Sequence, residues 1–162
     1  MSPLGEVGLI VAAALVQQVV LSEFLPRLHE LVDLYLIVVI YISVRRAQGH
    51  ALVMGAATGL LQDVFNQTLI GVNSFSKCLV AFIVSGLGSR FMLNQPLPQF
   101  GALVVGTLME YSIAAALMAV LGQKLSDPLI LQRALANGVA GLMLFALIGR
   151  FTRRRTGAMH AG

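Results

Sequence analysis

The sequence predicts an all-α polytopic membrane protein with six transmembrane helices. Three observations carry this. Of 162 residues, 57% are hydrophobic and 11% are charged, whereas a soluble domain is roughly 25% charged. The mean hydropathy is +0.85. The apolar residues fall in long runs separated by short polar punctuation, the pattern of successive spans. This composition argues against a water-soluble enzyme and against a disordered or fibrous chain. Six spans of about 20 residues use about 120 positions. The rest suffices for connections and short ends, so 1–162 reads as one integral membrane domain.

The first span is expected at 7–25 and stops before Pro26, because the residue preceding a proline disfavours helix. No Lys or Arg precedes it, so it lacks the basic start of a cleaved signal peptide and reads as a retained helix. The second, 28–44, has a wholly apolar stretch over 34–44 and carries His29, Glu30 and Asp33 in its first turns, where acidic groups suit the helix dipole. It ends at Arg45-Arg46. The third, 50–65, is rich in small residues, and the fourth, 73–91, contains Gly86 and Gly88. Asn94-Gln95-Pro96-Leu97-Pro98 breaks the chain before the fifth span, 100–121. Asp127-Pro128 opens the sixth, 128–151, with a capping side chain and a proline that leaves no orphan donor.

Basic residues set the orientation. Arg45, Arg46, Arg90, Arg150, Arg153, Arg154 and Arg155 fall on one side, and Arg27, Lys77, Lys124 and Arg133 on the other. The positive-inside rule then places both termini in the cytoplasm. The basic tail at 150–155 reads as an anchor to anionic lipid.

Ionisable groups inside spans are candidate functional positions, because they are costly unless paired or hydrated. Glu110 sits mid-way along the fifth span, with Gln17, Gln18, Thr58 and Asn137 at the same depth. These five define either a ligand- or proton-linked layer or a hydrogen-bonded network that fixes helix pairing. The absence of a Lys, Arg or His at that depth favours the network. Asp63 lies in the last turn of the third span and Lys77 in the first turns of the fourth, each against its own helix dipole. A short turn brings both to the outer boundary, where they are expected to pair, as a structural clamp or as a patch facing a partner. Gly55 and Gly59 form a GxxxG step whose face continues through Gln62 and Asp63. The same spacing of small residues recurs at Ala115-Ala119 and Ala134-Gly138.

Catalytic and metal motifs are missing from the sequence. His29, His50 and His160 are scattered, Cys78 stands alone, and no HExxH, GxSxG, Walker or Rossmann pattern occurs. No enzyme activity, metal, cofactor or nucleic-acid partner is expected. Asn66-Gln67-Thr68 matches a glycosylation sequon but carries no weight.

An acidic residue, Asp33, opens an apolar helix with a Tyr-containing run that ends at Arg45-Arg46. There follow Gly55-x3-Gly59-Leu60-Leu61-Gln62-Asp63 and a short turn into Leu69-Ile70-Gly71-Val72-Asn73-Ser74-Phe75. This stretch, 33–75, resembles the MreD family of rod shape-determining proteins, and Gln17 fits its pattern more loosely.

The resemblance implies a non-enzymatic subunit of the bacterial inner-membrane elongation complex that supports lateral peptidoglycan synthesis. Its implied partner is MreC, a bitopic protein with a periplasmic domain. Through MreC it would act with RodA, a penicillin-binding transpeptidase and, indirectly, the MreB filament. The resemblance also implies a fold similar to the S-components of energy-coupling-factor transporters, whose six helices enclose a pocket near the outer leaflet. A small-molecule-binding transporter subunit of that kind is the alternative function, although the chain has no Trp and three Tyr to line a pocket. A pocket that binds lipid or a lipid-linked wall precursor is a third possibility.

Overall fold

A computed structural model describes residues 3–21, 23, 26–67, 69–88, 95–123 and 128–158 of the chain. The elements among them are helices. They are α1 (Pro3–Leu15), continuing into a π-helical turn (Val16–Leu21), α2 (Pro26–Leu31), α3 (Leu34–Arg45), α4 (Gln48–Asn66), α5 (Val72–Gly88), α6 (Pro96–Val120) and α7 (Ile130–Ala158).

The bundle is built around α3. Its sequence is apolar on every side, and a helix of that kind has no face to give to water. Every residue from Tyr35 to Ser43 is buried, and α1, α4, α5, α6 and α7 all pack against it. With 12 residues it is about 18 Å long, roughly half of a bilayer core. Its N-terminal end therefore lies inside the protein, and its free backbone donors need protein partners.

The other helices follow from simple local chemistry. Gln95 and Pro96 start α6, with proline in the first turn, where no hydrogen bond is lost. Helices α4 and α5 form an antiparallel hairpin that turns through left-handed Gln67 (φ 51°) and Gly71 (φ 105°). They approach unusually closely. A Cβ on Gly59 would sit 2.4 Å from Ser74 Cα, and one on Gly55 would sit 2.8 Å from the Lys77 carbonyl. Large apolar side chains such as Val53, Val64, Leu131, Val139 and Met143 point outward.

Two helical stretches, Leu97–Val120 and Ile130–Gly149, are long and apolar enough to cross a membrane. Four of the expected spans coincide broadly with α4, α5, α6 and α7, and α7 continues to residue 158. Two expectations need correction. The first span does not remain a regular α-helix, because it widens into a π turn at 16–21. The second is not one helix over 28–44. It divides into α2 and α3, with Asp33 capping α3 instead of riding in its first turns. The expected cap at Asp127, the loop cations Arg90 and Lys124, Asn94, and Thr68 of the sequon lie outside the described residues.

Candidate functional site

The break between α2 and α3 organises the polar interior. Asp33 Oδ1 accepts the backbone N–H of Leu36 at 3.1 Å, an N-cap that satisfies one donor of the buried helix end. Gln17, from the π turn, brackets the break. Its Oε1 accepts the Leu34 N–H at 3.1 Å, and its Nε2 donates to the Val32 carbonyl at 2.9 Å. The Asp33 N–H donates to Asn137 Oδ1 of α7 at 2.8 Å, and Asn137 Nδ2 donates to the Thr107 hydroxyl of α6 at 3.2 Å. Three segments thus share the work of capping one helix end, and Thr107 of α6 orients the Asn137 amide.

The second oxygen of Asp33 carries the charge network. Lys77 Nζ of α5 donates to Asp33 Oδ2 at 2.9 Å, and Gln62 Nε2 of α4 donates to the same oxygen at 3.1 Å. Lys77 also donates to Glu110 Oε1 of α6. The ammonium is fully buried, and the two carboxylates are mostly buried. Lys77 lies only about 7 Å into α5, and its long side chain reaches the carboxylates of both Asp33 and Glu110. A buried ammonium is stable only when paired and hydrogen-bonded, and two carboxylates provide that here.

Asp63 has a different task. Its carboxylate accepts the N–H of Gly71 at 2.8 Å, of Asn73 at 3.3 Å and of Ser74 at 3.4 Å, together with Asn73 Nδ2 at 2.8 Å. An anion at the end of α4 opposes that helix's dipole, yet it lies at the N-terminus of α5, where both the dipole and the free N–H groups favour it. The hairpin is clasped by its own first and last turns.

Several expected groupings come together and others do not. Glu110, Gln17 and Asn137 meet around Asp33, and Gln62 and Lys77 join them. The expected Asp63–Lys77 pair is replaced by Lys77 with Asp33 and Glu110, because Asp63 faces the start of α5. The expectation that no cation accompanies Glu110 is likewise overturned by Lys77. Thr58 is buried but donates to the Met54 carbonyl of its own helix at 2.6 Å. Gln18 lies toward the periphery and donates to Asn66 at 2.8 Å. Gly55 and Gly59 face α5, so their small size serves an internal contact. Gly71 supplies both a positive-φ turn and a donor to Asp63.

Asp33 and Thr107 also belong to the network, and the sequence signals only the first, an acidic residue directly before the most apolar run of the chain. Among the described residues no group of His, Cys, Asp and Glu is arranged to hold a metal ion.

Beside this network lies a cavity of about 510 Å³, lined by Glu30, Asp33, Gln62, Glu110, Tyr111 and Arg133 among others. Gln62 Oε1, buried at its wall, has no hydrogen-bond partner among the described residues.

A second charged cluster ties α1 to the opposite end of α3. Glu6, buried, accepts from Arg46 at 2.5 Å and contacts His50 Nε2 at 2.6 Å. Burial alone would push the Glu6 carboxyl up. The hydrogen bonds from His50 and Arg46 and the charge of Arg46 outweigh it and hold the group below its ordinary value.

A family model described as rod shape-determining protein MreD matches residues 6–155. No curated protein and no solved structure matches the chain.

Proposed function

Because the chain belongs to the MreD family of rod shape-determining proteins, we propose that it is a non-enzymatic subunit of the bacterial elongation complex. In this reading it is a six-span domain of the inner membrane, with spans near 7–25, 28–44, 50–65, 73–91, 100–121 and 128–151 and both termini in the cytoplasm. It binds an MreC-like bitopic protein. With RodA and a penicillin-binding transpeptidase, directly or through that partner, it supports lateral peptidoglycan synthesis, and it couples indirectly to the MreB filament. The six spans adopt an arrangement of the S-component kind.

The family match along nearly the whole chain is the observation that carries the reading. The distribution of polarity supports it. Charges gather at the centre while large apolar side chains face outward, the inverse of a soluble fold and suited to lipid. The polar residues are used in structure: Asp63 clasps a hairpin, and Asp33, Lys77 and Glu110 hold the end of α3. Such internal bonding fits a rigid scaffold more readily than a reacting centre.

Purification of the tagged chain from its native membrane in mild detergent tests this proposal. A single-span protein with a periplasmic domain is expected to co-purify in stoichiometric amount. Recovery of the chain with a vitamin-sized ligand and no such protein would overturn the scaffold reading in favour of an S-component-like transporter subunit.

A further inference from the structure

Arg45, at the end of α3, is held in place but not neutralised. Its guanidinium lies 3.9 Å from the centre of the Tyr41 ring and 6.0 Å from that of Phe145, a cation–π arrangement. The two rings meet edge-on at 5.1 Å and are themselves buried. Nη1 donates to the Tyr41 carbonyl at 3.4 Å, which leaves the other N–H groups of the fork for a partner. The residue is exposed, and among the described residues it forms no ion pair.

The protein offers this arginine no anion. Glu6 is the one acidic residue in the segments that meet at this end of the bundle, and Arg46 and His50 hold it. Arg150, Arg153, Arg154 and Arg155 follow in the last turns of α7 and add positive charge. There is also room for a ligand. One turn beyond Phe145, on the same face of α7, stands Gly149, where a Cβ would meet nothing within 4 Å.

We propose that Arg45 is the phosphate-binding residue of a headgroup site for an anionic phospholipid. A planar guanidinium binds phosphate through two parallel hydrogen bonds, which an ammonium cannot do. Its immobilisation on Tyr41 lowers the entropy lost on binding. The proposal rests on the six-span reading, in which Arg45 is the first residue past the second span and so stands at the level of lipid phosphates. It is independent of the partner-binding role. It also differs from the attraction of a basic tail to an anionic surface, which follows charge alone.

The test uses the full chain in detergent and measures retained lipid by native mass together with thermal stabilisation. The probes are phosphatidylglycerol, phosphatidylcholine and inorganic phosphate. Total lipid retained reports on the membrane-spanning reading, and the difference between headgroups reports on this site. Phosphatidylglycerol is expected to bind about ten-fold more tightly than phosphatidylcholine, the scale of one hydrogen-bonded charged contact. Arg45→Gln and Arg45→Lys, the second of which keeps the charge without the fork, should each erase most of that preference. Arg27→Gln, which removes an exposed arginine at the other end of the bundle, should leave it intact. Equal binding of the two lipids by the unsubstituted chain overturns the proposal. A preference that survives Arg45→Lys overturns it too, since charge alone would then suffice. Binding of inorganic phosphate without any preference between the lipids would assign the arginine to a soluble anion and overturn the lipid site.

Discussion

Lys77 donates to Asp33 across 44 residues of sequence at 2.9 Å, and that bond joins the first turns of α5 to the buried start of α3. It explains why a lysine is tolerated against its own helix dipole. The two carboxylates it meets provide a larger opposite field at closer range than a helix end does. It also explains how a helix only half a bilayer long can end inside a bundle. The Asp33 side chain caps the backbone, and Lys77 neutralises the cap.

Replacing Lys77 with Met leaves two buried carboxylates facing each other without their shared cation. Loss of one member of a buried ionic group costs about 3–5 kcal/mol, so Lys77→Met should sharply lower the thermal midpoint or the folded yield in detergent. Adding Glu110→Gln and Asp33→Asn to it should recover most of the loss. The exchange Asp63→Lys with Lys77→Asp should rescue nothing, since these residues serve different partners. Restoration by that exchange would contradict the geometry.

Asp63→Ala should cost about 1–3 kcal/mol, the range for losing an N-cap whose partners are left inside the protein. Asp63→Asn keeps one acceptor oxygen and should cost less. Hydrogen exchange locates the effect: the N–H groups of Gly71, Asn73 and Ser74 should lose protection first. Uniform loss of protection along α5 would count against a capping role.

Much of this was legible from the residues. The apolar runs overlap α4 to α7, and Gln17, Glu110 and Asn137, grouped by their positions along those runs, lie around Asp33 in the structure. The dipole argument shows that Asp63 and Lys77 each need compensation, but it does not name the compensating group. Asp63 finds backbone N–H groups, which have no sequence signature, and Lys77 finds carboxylates from helices 33 and 44 residues away in sequence. The break at Asp33 was hidden for a related reason. A capped helix start and the interior of an acidic first turn read alike in sequence, and only the surrounding Gln17 and Asn137 favour the break. Gln17, which brackets the break, belongs to the π turn.

Gly59→Ala should be among the more damaging single-methyl additions. The new Cβ would fall 2.4–2.6 Å from backbone atoms of Asn73 and Ser74, which cannot move aside as a flexible side chain does. Overpacking of this kind costs about 1–3 kcal/mol, and the α4–α5 hairpin carries the Asp63 clasp with it. Gly49→Ala is the control, since nothing lies within 4 Å of its Cβ position and a helix gains about 1 kcal/mol from the exchange. Melting midpoints of the two variants should therefore move in opposite directions. Equal behaviour would mean that the hairpin is looser than the close approach implies.

The Glu6 cluster should make stability depend on pH at the acid end. Its carboxyl is held below the ordinary value of 4.5 by His50 and Arg46, so folding favours the ionised form. The contribution is complete above that ordinary value and is lost as pH falls through the lower folded value. Arg46 and His50 are each about a third exposed, so solvent screening limits the effect to about 1 kcal/mol. Glu6→Gln should lower the midpoint at pH 7 and narrow its distance from the unsubstituted protein below pH 4. Parallel curves for the two proteins across that interval would show that Glu6 is not held ionised by Arg46 and His50.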